Sequence, residues 1–228
     1  MIILVTGATG FLGKYLLKEL QKTDHIVYSL ECDIRNIKQF PKLEFDCIFH
    51  LAALVTHTVD HTRNLLFQVN SQGTANLISK YPLAKFIFAS TKDVYRKDLS
   101  QYAKSKKIAE GLVITNSKNL IIRIPSIFGP NQRQRNKLIP KLFRKYINNE
   151  SCIIYNNDSR EYIYVEDAAT KLVKNIENSG IIDMNGFTIS NHRLDTIVRS
   201  VCCQKYITFS SEEEITFITK LKSTFDQI

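Results

Sequence analysis

The feature of this sequence that most constrains its fold is a glycine-rich turn close to the first residue. The apolar run Ile2–Val5 stops at Thr6-Gly7-Ala8-Thr9-Gly10-Phe11-Leu12-Gly13, and apolar residues then recur at Leu12, Leu16 and Leu20. A short apolar run is typical of a buried parallel strand, and the later spacing is that of one helix face. The sequence therefore predicts a strand, a tight turn and a helix in direct succession.

The three glycines of this turn have distinct physical roles. Gly7 permits a tight turn, Gly10 lets the backbone approach a pyrophosphate, and Gly13 allows the helix to pack closely on the strand. The start of the helix offers unpaired N–H groups and a partial positive charge to phosphates. We therefore predict a dinucleotide cofactor that contacts Gly7, Gly10, Phe11, Leu12 and Gly13.

Strand and helix patterns alternate through the first 125 residues. Strand-like runs are Ile26–Leu30, Cys47–Leu51, Phe86–Ala89 and Leu120–Ile124, and helical spacing covers Asn64–Ser79 and Tyr102–Ile114. Alternation of this kind predicts an α/β fold with a Rossmann-type, doubly wound parallel sheet. Further on we expect helices over Leu138–Ile147, Asp167–Ile176 and Ile215–Phe225, and strands over Cys152–Tyr155 and Tyr162–Val165. The expected organisation is a domain over residues 1–125 and a small C-terminal lobe over 126–228, packed on the first and partly interleaved with it.

The second strand ends at Leu30-Glu31, and this acidic residue bears on the choice of cofactor. A carboxylate at this position can accept hydrogen bonds from both hydroxyls of the adenosine ribose, and it repels a 2′-phosphate. Glu31 therefore favours NAD over NADP. The alternative is an exposed glutamate at a strand end with no ligand.

The basic charge of the chain does not by itself indicate nucleic acid. The formal net charge is +9, but no block of five basic residues occurs. The densest group consists of Arg133, Arg135, Lys137, Lys141, Arg144 and Lys145, for which a solvated surface and contact with phosphates are both open readings. Because no nucleic-acid-binding motif accompanies the charge, we expect no nucleic-acid partner.

The cysteines and the N-terminal segment bear on the cellular compartment. The five cysteines include no CxxC pair, so neither a disulfide framework nor a bound metal is expected. The first apolar run has four residues, too few for a signal peptide or a membrane span. We expect a cytoplasmic protein with reduced thiols and no membrane partner.

Seven further segments occur in a set order after the glycine-rich turn. They are Asp33-Ile34, His50-Leu51-Ala52-Ala53, Asn70 ahead of Gly73-Thr74, Ser90–Tyr95, Tyr102–Lys106, Arg123–Pro130 and Arg160–Asp167. Together with the turn, they resemble the motifs of the extended short-chain dehydrogenases/reductases, in particular the NAD-dependent epimerase/dehydratase group that acts on nucleotide sugars. The resemblance runs from residue 1 to about residue 200.

This resemblance implies a cofactor, a substrate and a set of site residues. The cofactor is NAD, the substrate partner is a nucleotide sugar, and a homodimer is left open. Beyond the glycine-rich turn and Glu31, the implied cofactor contacts are Asp33, Ile34, Leu51, Ala52, Ala53, Asn70, Tyr102, Lys106 and Pro125. The implied substrate contacts are Thr91, Ser126 and Arg160, and Arg160 is the implied contact to the substrate phosphates. Because Ser126 and Arg160 lie in the C-terminal lobe, the resemblance implies that this lobe binds the substrate.

Tyr102 and Lys106 are the implied catalytic pair, with Thr91 as their partner. A tyrosine with its ordinary pKa of about 10 is a poor base at neutral pH. A lysine four residues later lies on the same helix face, and its ammonium, together with the nicotinamide charge, is expected to lower that pKa. Tyr102 could then take the proton of a sugar hydroxyl while hydride passes to NAD, with Thr91 hydrogen-bonded to the same oxygen.

Several departures from the family pattern leave the reaction open. Only Cys32 separates Glu31 from Asp33, Thr91 and Tyr102 are only eleven residues apart, and the C-terminal lobe is short. Lys92 and Asp93 stand where a dehydratase of the family has an aspartate and a glutamate, so an epimerase or a 4-ketoreductase is favoured over a 4,6-dehydratase. A non-catalytic NAD-binding or interaction module on the same fold is a further alternative.

Overall fold

We obtained the architecture from a computed structural model, which describes residues 1–55, 63–132, 136–154, 156–203, 208–209 and 211–225. The chain forms two compact units. The first consists of residues 1–124 and 168–184, and the second of residues 125–167 and 185–228. Residues 168–184 thus lie in the first unit, although they fall in the expected 126–228 lobe.

The first unit is built on a six-stranded parallel sheet in the order β2-β1-β3-β4-β5-β8. Its strands are β1 (Ile2–Thr6), β2 (Ile26–Leu30), β3 (Cys47–His50), β4 (Lys85–Thr91), β5 (Leu120–Ile124) and β8 (Gly180–Asp183). The chain moves from β1 to one side and then returns to continue on the other, so β1 and β3 meet at the switch point of the sheet. Ligands of doubly wound sheets bind beyond the carboxyl ends of the strands at this point.

Strand register aligns the segments that carry the candidate residues. Thr6 pairs with Leu30 on one side and with His50 on the other, and Thr91 pairs with Ile124. The glycine-rich turn, Glu31 and Leu51 therefore all follow strands that end at one edge of the sheet.

Helices flank this sheet. They are α1 (Phe11–Leu20), α2 (Arg63–Phe67), α3 (Gly73–Lys80), α4 (Gln101–Val113) and, from residue 168 on, α6 (Val165–Lys174); a π-helical segment (Gln68–Gln72) joins α2 to α3, and short 3₁₀ turns cover Ile37–Gln39 and Lys92–Tyr95. The core between sheet and helices is made of fully buried side chains such as Ile48, Phe86, Leu77 and Val113. A Rossmann-type parallel sheet, predicted from the alternating pattern, is confirmed.

The second unit has a three-stranded sheet of β6 (Ser126–Phe128), β7 (Ser159–Tyr164) and β9 (Phe187–Ser190). Its helices are α5 (Leu138–Ile147), α7 (Asn191–Cys202) and α8 (Glu212–Phe225), and Phe128, Tyr162 and Phe217 lie in its core. The expected strand over Cys152–Tyr155 is wrong for residues 152–154, which form no strand, and Tyr155 lies outside the described residues. No helix in the described ranges is long and apolar enough to cross a membrane.

Candidate active site

The glycine-rich turn adopts a geometry that only glycine allows at two positions. Gly7 has a φ of +71°, and a β-carbon there would lie 2.7 Å from the amide nitrogen of Ala52. A β-carbon on Gly13 would lie 2.1 Å from the carbonyl oxygen of Gly7. The turn and the first turn of α1 are therefore packed too tightly against each other to hold a side chain.

Gly10 differs from its two neighbours because it faces outward. It is exposed, and a β-carbon there would meet only the carbonyl oxygen of Gly7, at 3.0 Å. No side chain caps α1 at Gly10, and Phe11 and Leu12 are partly exposed beside it. An outward glycine next to uncapped N–H groups at a helix start suits a diphosphate, so the residues present fit a dinucleotide.

The segment after β2 combines an exposed acid with an ion pair. Glu31 is exposed directly beyond β2. Asp33 accepts hydrogen bonds from the backbone N–H and the guanidinium of Arg35, which hold the pKa of its carboxyl below the ordinary value. Ile34 is buried, and a β-carbon on Gly73 would lie 2.6 Å from its side chain. Sequence reasoning missed Arg35, although its spacing from Asp33 could have suggested the pair.

Leu51, Ala52 and Ala53 follow β3 as a half-buried segment, and a chain of hydrogen bonds lies behind it. Thr6 Oγ1 accepts from the Ala52 N–H at 3.1 Å, and its own hydrogen is left to donate to His50 Nδ1 at 2.7 Å. Thr74 Oγ1 donates to a backbone carbonyl at 2.7 Å and so accepts from His50 Nε2 at 2.8 Å. These directions fix His50 in its neutral Nε2–H form.

His50 stays neutral for a second reason. It is fully buried, and burial together with the nearby positive charge of Lys106 lowers its pKa to about 3. The ring therefore acts as a neutral hydrogen-bonding link between β1, β3 and α3. Sequence reasoning quoted His50 as part of a motif and gave it no role.

The side chain of Asn70 is hydrogen-bonded to other residues of the protein. Its amide nitrogen donates to the Leu54 carbonyl at 3.0 Å and to Ser105 Oγ at 2.9 Å, and its oxygen accepts from the Leu54 N–H at 2.7 Å. Ser105 Oγ in turn donates to the Tyr102 carbonyl at 2.8 Å. Both amide hydrogens are used. Asn70 thus fixes the segment after β3 against the start of α4, and its direct contact with the cofactor stays a prediction.

Thr91 is the last residue of β4 and caps the turn Lys92–Tyr95 that follows. Its hydroxyl oxygen accepts from the Asp93 N–H at 3.2 Å, which leaves the hydroxyl hydrogen to donate elsewhere. The Asp93 carboxylate forms an ion pair with Arg96 at 2.7 Å. Helix α4 begins eight residues after Asp93. Ser100 caps it, and its Oγ accepts a hydrogen bond from the Ala103 N–H at 3.1 Å.

Tyr102 and Lys106 lie one turn apart on α4. The turn Lys92–Tyr95 packs on this helix, and the negative charge of Asp93 acts on the Tyr102 phenol, so the short connection still brings the Thr91 turn beside Tyr102. Lys106 is 1% exposed, and its Nζ lies 3.8 Å from the centre of the Phe88 ring. Cation and ring attract each other in this arrangement.

The expected lowering of the Tyr102 pKa by Lys106 and the nicotinamide charge together stays a prediction for the cofactor-bound protein. Burial raises the pKa of Tyr102, and the negative charge of Asp93 raises it further. Burial also lowers the pKa of Lys106 to about 7, although the negative charge of Glu110 counteracts this. Desolvation thus disfavours the charged form of both groups.

The remaining predicted site residues belong to the second unit. Pro125 is buried ahead of β6, and Ser126 pairs with Tyr162 of β7. Arg160 lies two residues before Tyr162, so Arg160 and Ser126 share one face of the small sheet. Among the described residues, Arg160 forms no ion pair with Asp158 or Glu161; its charge instead acts on the Tyr162 hydroxyl.

Comparisons with known proteins bear directly on this arrangement. The model of the NAD dependent epimerase/dehydratase family matches residues 3–185, which is most of the chain. The chain belongs to this family. Membership identifies NAD as the cofactor, and it confirms the family resemblance drawn from the order of the motifs.

Individual relatives are more distant. The chain is 27% identical to a dTDP-D-glucose 4,6-dehydratase from Dictyostelium discoideum over 230 residues, 72% of this chain and 53% of that protein. It spans 53% to 60% of the length of three curated relatives that it matches. Relatives of this identity establish ancestry but do not fix the reaction.

Solved structures of the family share the fold. A UDP-glucose 4-epimerase from Thermotoga maritima with UDP-glucose is 17% identical, with a TM-score of 0.85 over 100% of this chain and 98% of that one. A UDP-glucose 4-epimerase from Thermus thermophilus with NAD is 18% identical, with a TM-score of 0.81 over the same shares. At this identity the likeness shows the fold alone.

Proposed function

We propose that this chain is an NAD-dependent enzyme that acts on a nucleotide-activated sugar, as an epimerase or a 4-ketoreductase. One observation carries the proposal: Tyr102 and Lys106 share a face of α4, whose first turn packs beside the Thr91 turn. Membership of the epimerase/dehydratase family supports it. The names of relatives that act on nucleotide sugars support the substrate class.

In the proposed reaction, different residues of the first unit bind the cofactor, hydrogen-bond the substrate and transfer the proton. Gly10 and the start of α1 hold the diphosphate, and Glu31 holds the adenosine ribose. When bound, NAD supplies the hydride acceptor and a positively charged ring. Thr91 donates a hydrogen bond to the reacting sugar oxygen. Tyr102 moves the proton of that oxygen, giving it up in the reductive direction and taking it in the oxidative one.

The electrostatics of the pair favour proton donation by Tyr102. A raised pKa keeps the phenol protonated at neutral pH, as a general acid requires. The oxidative direction needs the phenolate, which gains its stabilisation from Lys106 and from the cofactor ring once both are charged. A 4-ketoreductase uses the first direction, and an epimerase uses both in turn.

The dehydratase alternative has less support. Asp93 stands where a dehydratase of the family has its glutamate base, and its carboxylate is engaged with Arg96 at 2.7 Å. Aspartate is also one methylene shorter than the glutamate it replaces, and its carboxylate is already occupied by Arg96. The non-catalytic module differs from the epimerase, the 4-ketoreductase and the dehydratase in converting no substrate, so an assay for product is needed to distinguish it.

A ligand panel tests the proposal. The protein with NAD is screened by thermal shift against UDP-, dTDP-, GDP- and ADP-sugars, and each stabilising sugar is then incubated with NAD or NADH and analysed by NMR. Stabilisation by one nucleotide class and conversion to an epimer or a reduced sugar support the proposal. Stabilisation without conversion indicates the non-catalytic module, and a 4-keto-6-deoxy product indicates the dehydratase.

A further inference from the structure

A chain of polar contacts, buried at Glu110 and Ser90 and exposed at Tyr95 and Asp183, lies one helical turn beyond the proposed catalytic pair. The Glu110 carboxylate accepts from Ser90 Oγ at 2.5 Å and from Arg123 at 3.0 Å and 2.7 Å, one bond to each carboxylate oxygen. Arg123 also donates to the Tyr95 hydroxyl at 2.6 Å, and this hydroxyl donates to Asp183 at 3.0 Å. All five residues belong to the first unit.

The contacts of Glu110 join the elements that carry the proposed catalytic residues. Ser90 directly precedes Thr91 on β4, and Glu110 follows Lys106 by four residues on α4. Arg123 lies on β5, the next strand of the sheet. Glu110 therefore sets the register between the end of β4 and the face of α4 that carries Lys106.

A role in stability alone is a weak explanation for this pair. The side chains of Glu110 and Arg123 are 7% and 17% exposed, and their attraction offsets only part of the free energy lost when two charges are removed from water. Apolar residues of similar volume often replace such pairs with no loss of stability. The position of the pair beside Lys106 offers a function that apolar residues would lack.

Glu110 stands where it could pair directly with Lys106. A glutamate and a lysine four residues apart on a helix commonly form an ion pair. Here Ser90 and Arg123 hold both carboxylate oxygens of Glu110, and the Lys106 ammonium lies against the Phe88 ring instead. The charge of Glu110 thus acts on Lys106 from a distance and leaves the ammonium hydrogens to a ligand.

The other groups near Lys106 do not supply this charge. His50, from β3, is neutral, and a positive charge there would oppose the ammonium. Tyr102, on the same helix, is held in its neutral form by burial. Asp93, in the turn packed on α4, is paired with Arg96, and Asn70, in the π-helical segment, is uncharged. Among the described groups, Glu110 is the anion that acts on Lys106.

We propose that Glu110 is a positioning residue for the active site: held by Ser90 and Arg123, it keeps the buried Lys106 charged yet available to the cofactor and to Tyr102. This inference rests on the proposed function, because it assumes that the Lys106 ammonium contributes to cofactor binding. Arg123 is required for this role, because without it the Glu110 carboxylate could rotate towards Lys106 and pair with it directly.

The test is the pH dependence of NADH affinity, followed by fluorescence titration between about pH 6 and 9. For the wild type we expect affinity to fall as the pH rises through the pKa of Lys106, which lies at about 7. Lys106→Met should remove this dependence. Glu110→Gln should move the midpoint down by at least about half a pH unit, because the ammonium loses an anion. Arg123→Lys should move it up and weaken binding at neutral pH, because the released carboxylate pairs with Lys106.

The outcomes for Glu110, Arg123 and Lys106 are distinguishable. A Glu110→Gln variant that folds and binds more weakly at every pH, with an unmoved midpoint, overturns the inference and leaves a purely structural pair. If that variant fails to fold, Arg123→Lys decides, and an unmoved or lowered midpoint overturns the inference. If Lys106→Met binds NADH like the wild type at every pH, the proposed role of Lys106 itself is wrong.

Discussion

A β-carbon on Gly13 would lie 2.1 Å from the carbonyl oxygen of Gly7, far inside van der Waals contact, so the helix and the preceding turn are in direct backbone contact. A β-carbon on Gly10 would lie 3.0 Å from the same oxygen and meet nothing else within 4 Å. The two glycines of one motif therefore serve different ends. Gly13 is required by the protein, and Gly10 is open towards a ligand.

This difference predicts opposite results for two valine substitutions. Gly10→Val should reduce NADH affinity at least about tenfold, because the side chain occupies the space of the diphosphate, while the thermal midpoint changes little. Gly13→Val should instead lower stability by several kcal/mol, because backbone must move to admit it. Fluorescence titration with NADH and thermal unfolding of both variants separate the cases. A Gly10→Val protein with normal NADH affinity would show that the turn does not hold the cofactor.

The exposed carboxylate of Glu31 predicts a preference for NADH over NADPH. Glu31→Ala should weaken NADH binding and narrow the difference between the two cofactors, because the ribose loses its acceptor and the 2′-phosphate loses its repulsion. Parallel titrations with both cofactors measure this, and Glu44→Ala provides a matched control at another exposed acid. Equal or tighter binding of NADPH by the wild type would contradict the prediction.

The buried lysine predicts an unusual dependence of stability on pH. Burial lowers the pKa of Lys106 to about 7, against an ordinary value near 10.5 in the unfolded chain. Between these values the unfolded state binds more protons than the folded state, so this group makes the free energy of unfolding rise with pH. Below about pH 7 Lys106 is protonated in both states, so the free energy of unfolding no longer changes with pH through this group. The buried charge then destabilises the folded state by its full amount.

Lys106→Met isolates this effect. The variant should be more stable than the wild type by a few kcal/mol at pH 7 or below, and the difference should shrink as the pH approaches 10. Urea unfolding of both proteins at several pH values measures the difference. A difference that does not change with pH would show that Lys106 has the same pKa in both states.

Arg160 is predicted to bind substrate phosphates independently of the cofactor. Arg160→Ala should weaken the binding of any stabilising nucleotide sugar about tenfold or more, because a bidentate charged contact is lost, and should leave NADH affinity unchanged. Calorimetric titration of the variant with both ligands checks this, with Arg199→Ala as the control at an arginine elsewhere in the second unit. Unchanged sugar binding would remove Arg160 from the site.

Local patterns made the first unit predictable. An apolar run followed by three spaced glycines indicates one strand, one turn and one helix, and β1 and α1 follow that pattern. The later part of the chain was harder because its strands are short. β9 and α7 of the second unit were not predicted, and neither was β8, the last strand in the sheet of the first unit. β8 has four residues, of which Ile181 is 48% exposed, so it lacks the continuous apolar run of a central strand.

The electrostatics of the site depend on contacts that no local pattern contains. Glu110 and Arg123 are thirteen residues apart and meet only because α4 packs on β4 and β5. The Tyr102 pKa follows from burial and from Asp93, which the sequence places nine residues away. Spacing predicted that Tyr102 and Lys106 share a helix face, but it could not predict that burial would disfavour the charged form of both groups.

The turnover rate of Tyr102→Phe tests most directly whether Tyr102 transfers the proton of the reacting sugar oxygen. The variant keeps the ring, its packing and the cofactor site but cannot transfer a proton. With a nucleotide sugar that the wild type converts, we expect NADH affinity within about twofold of the wild type and a turnover rate about 10² to 10⁴ times lower. Conversion by Tyr102→Phe at the wild-type rate would contradict the assignment of Tyr102 as the proton-transfer residue.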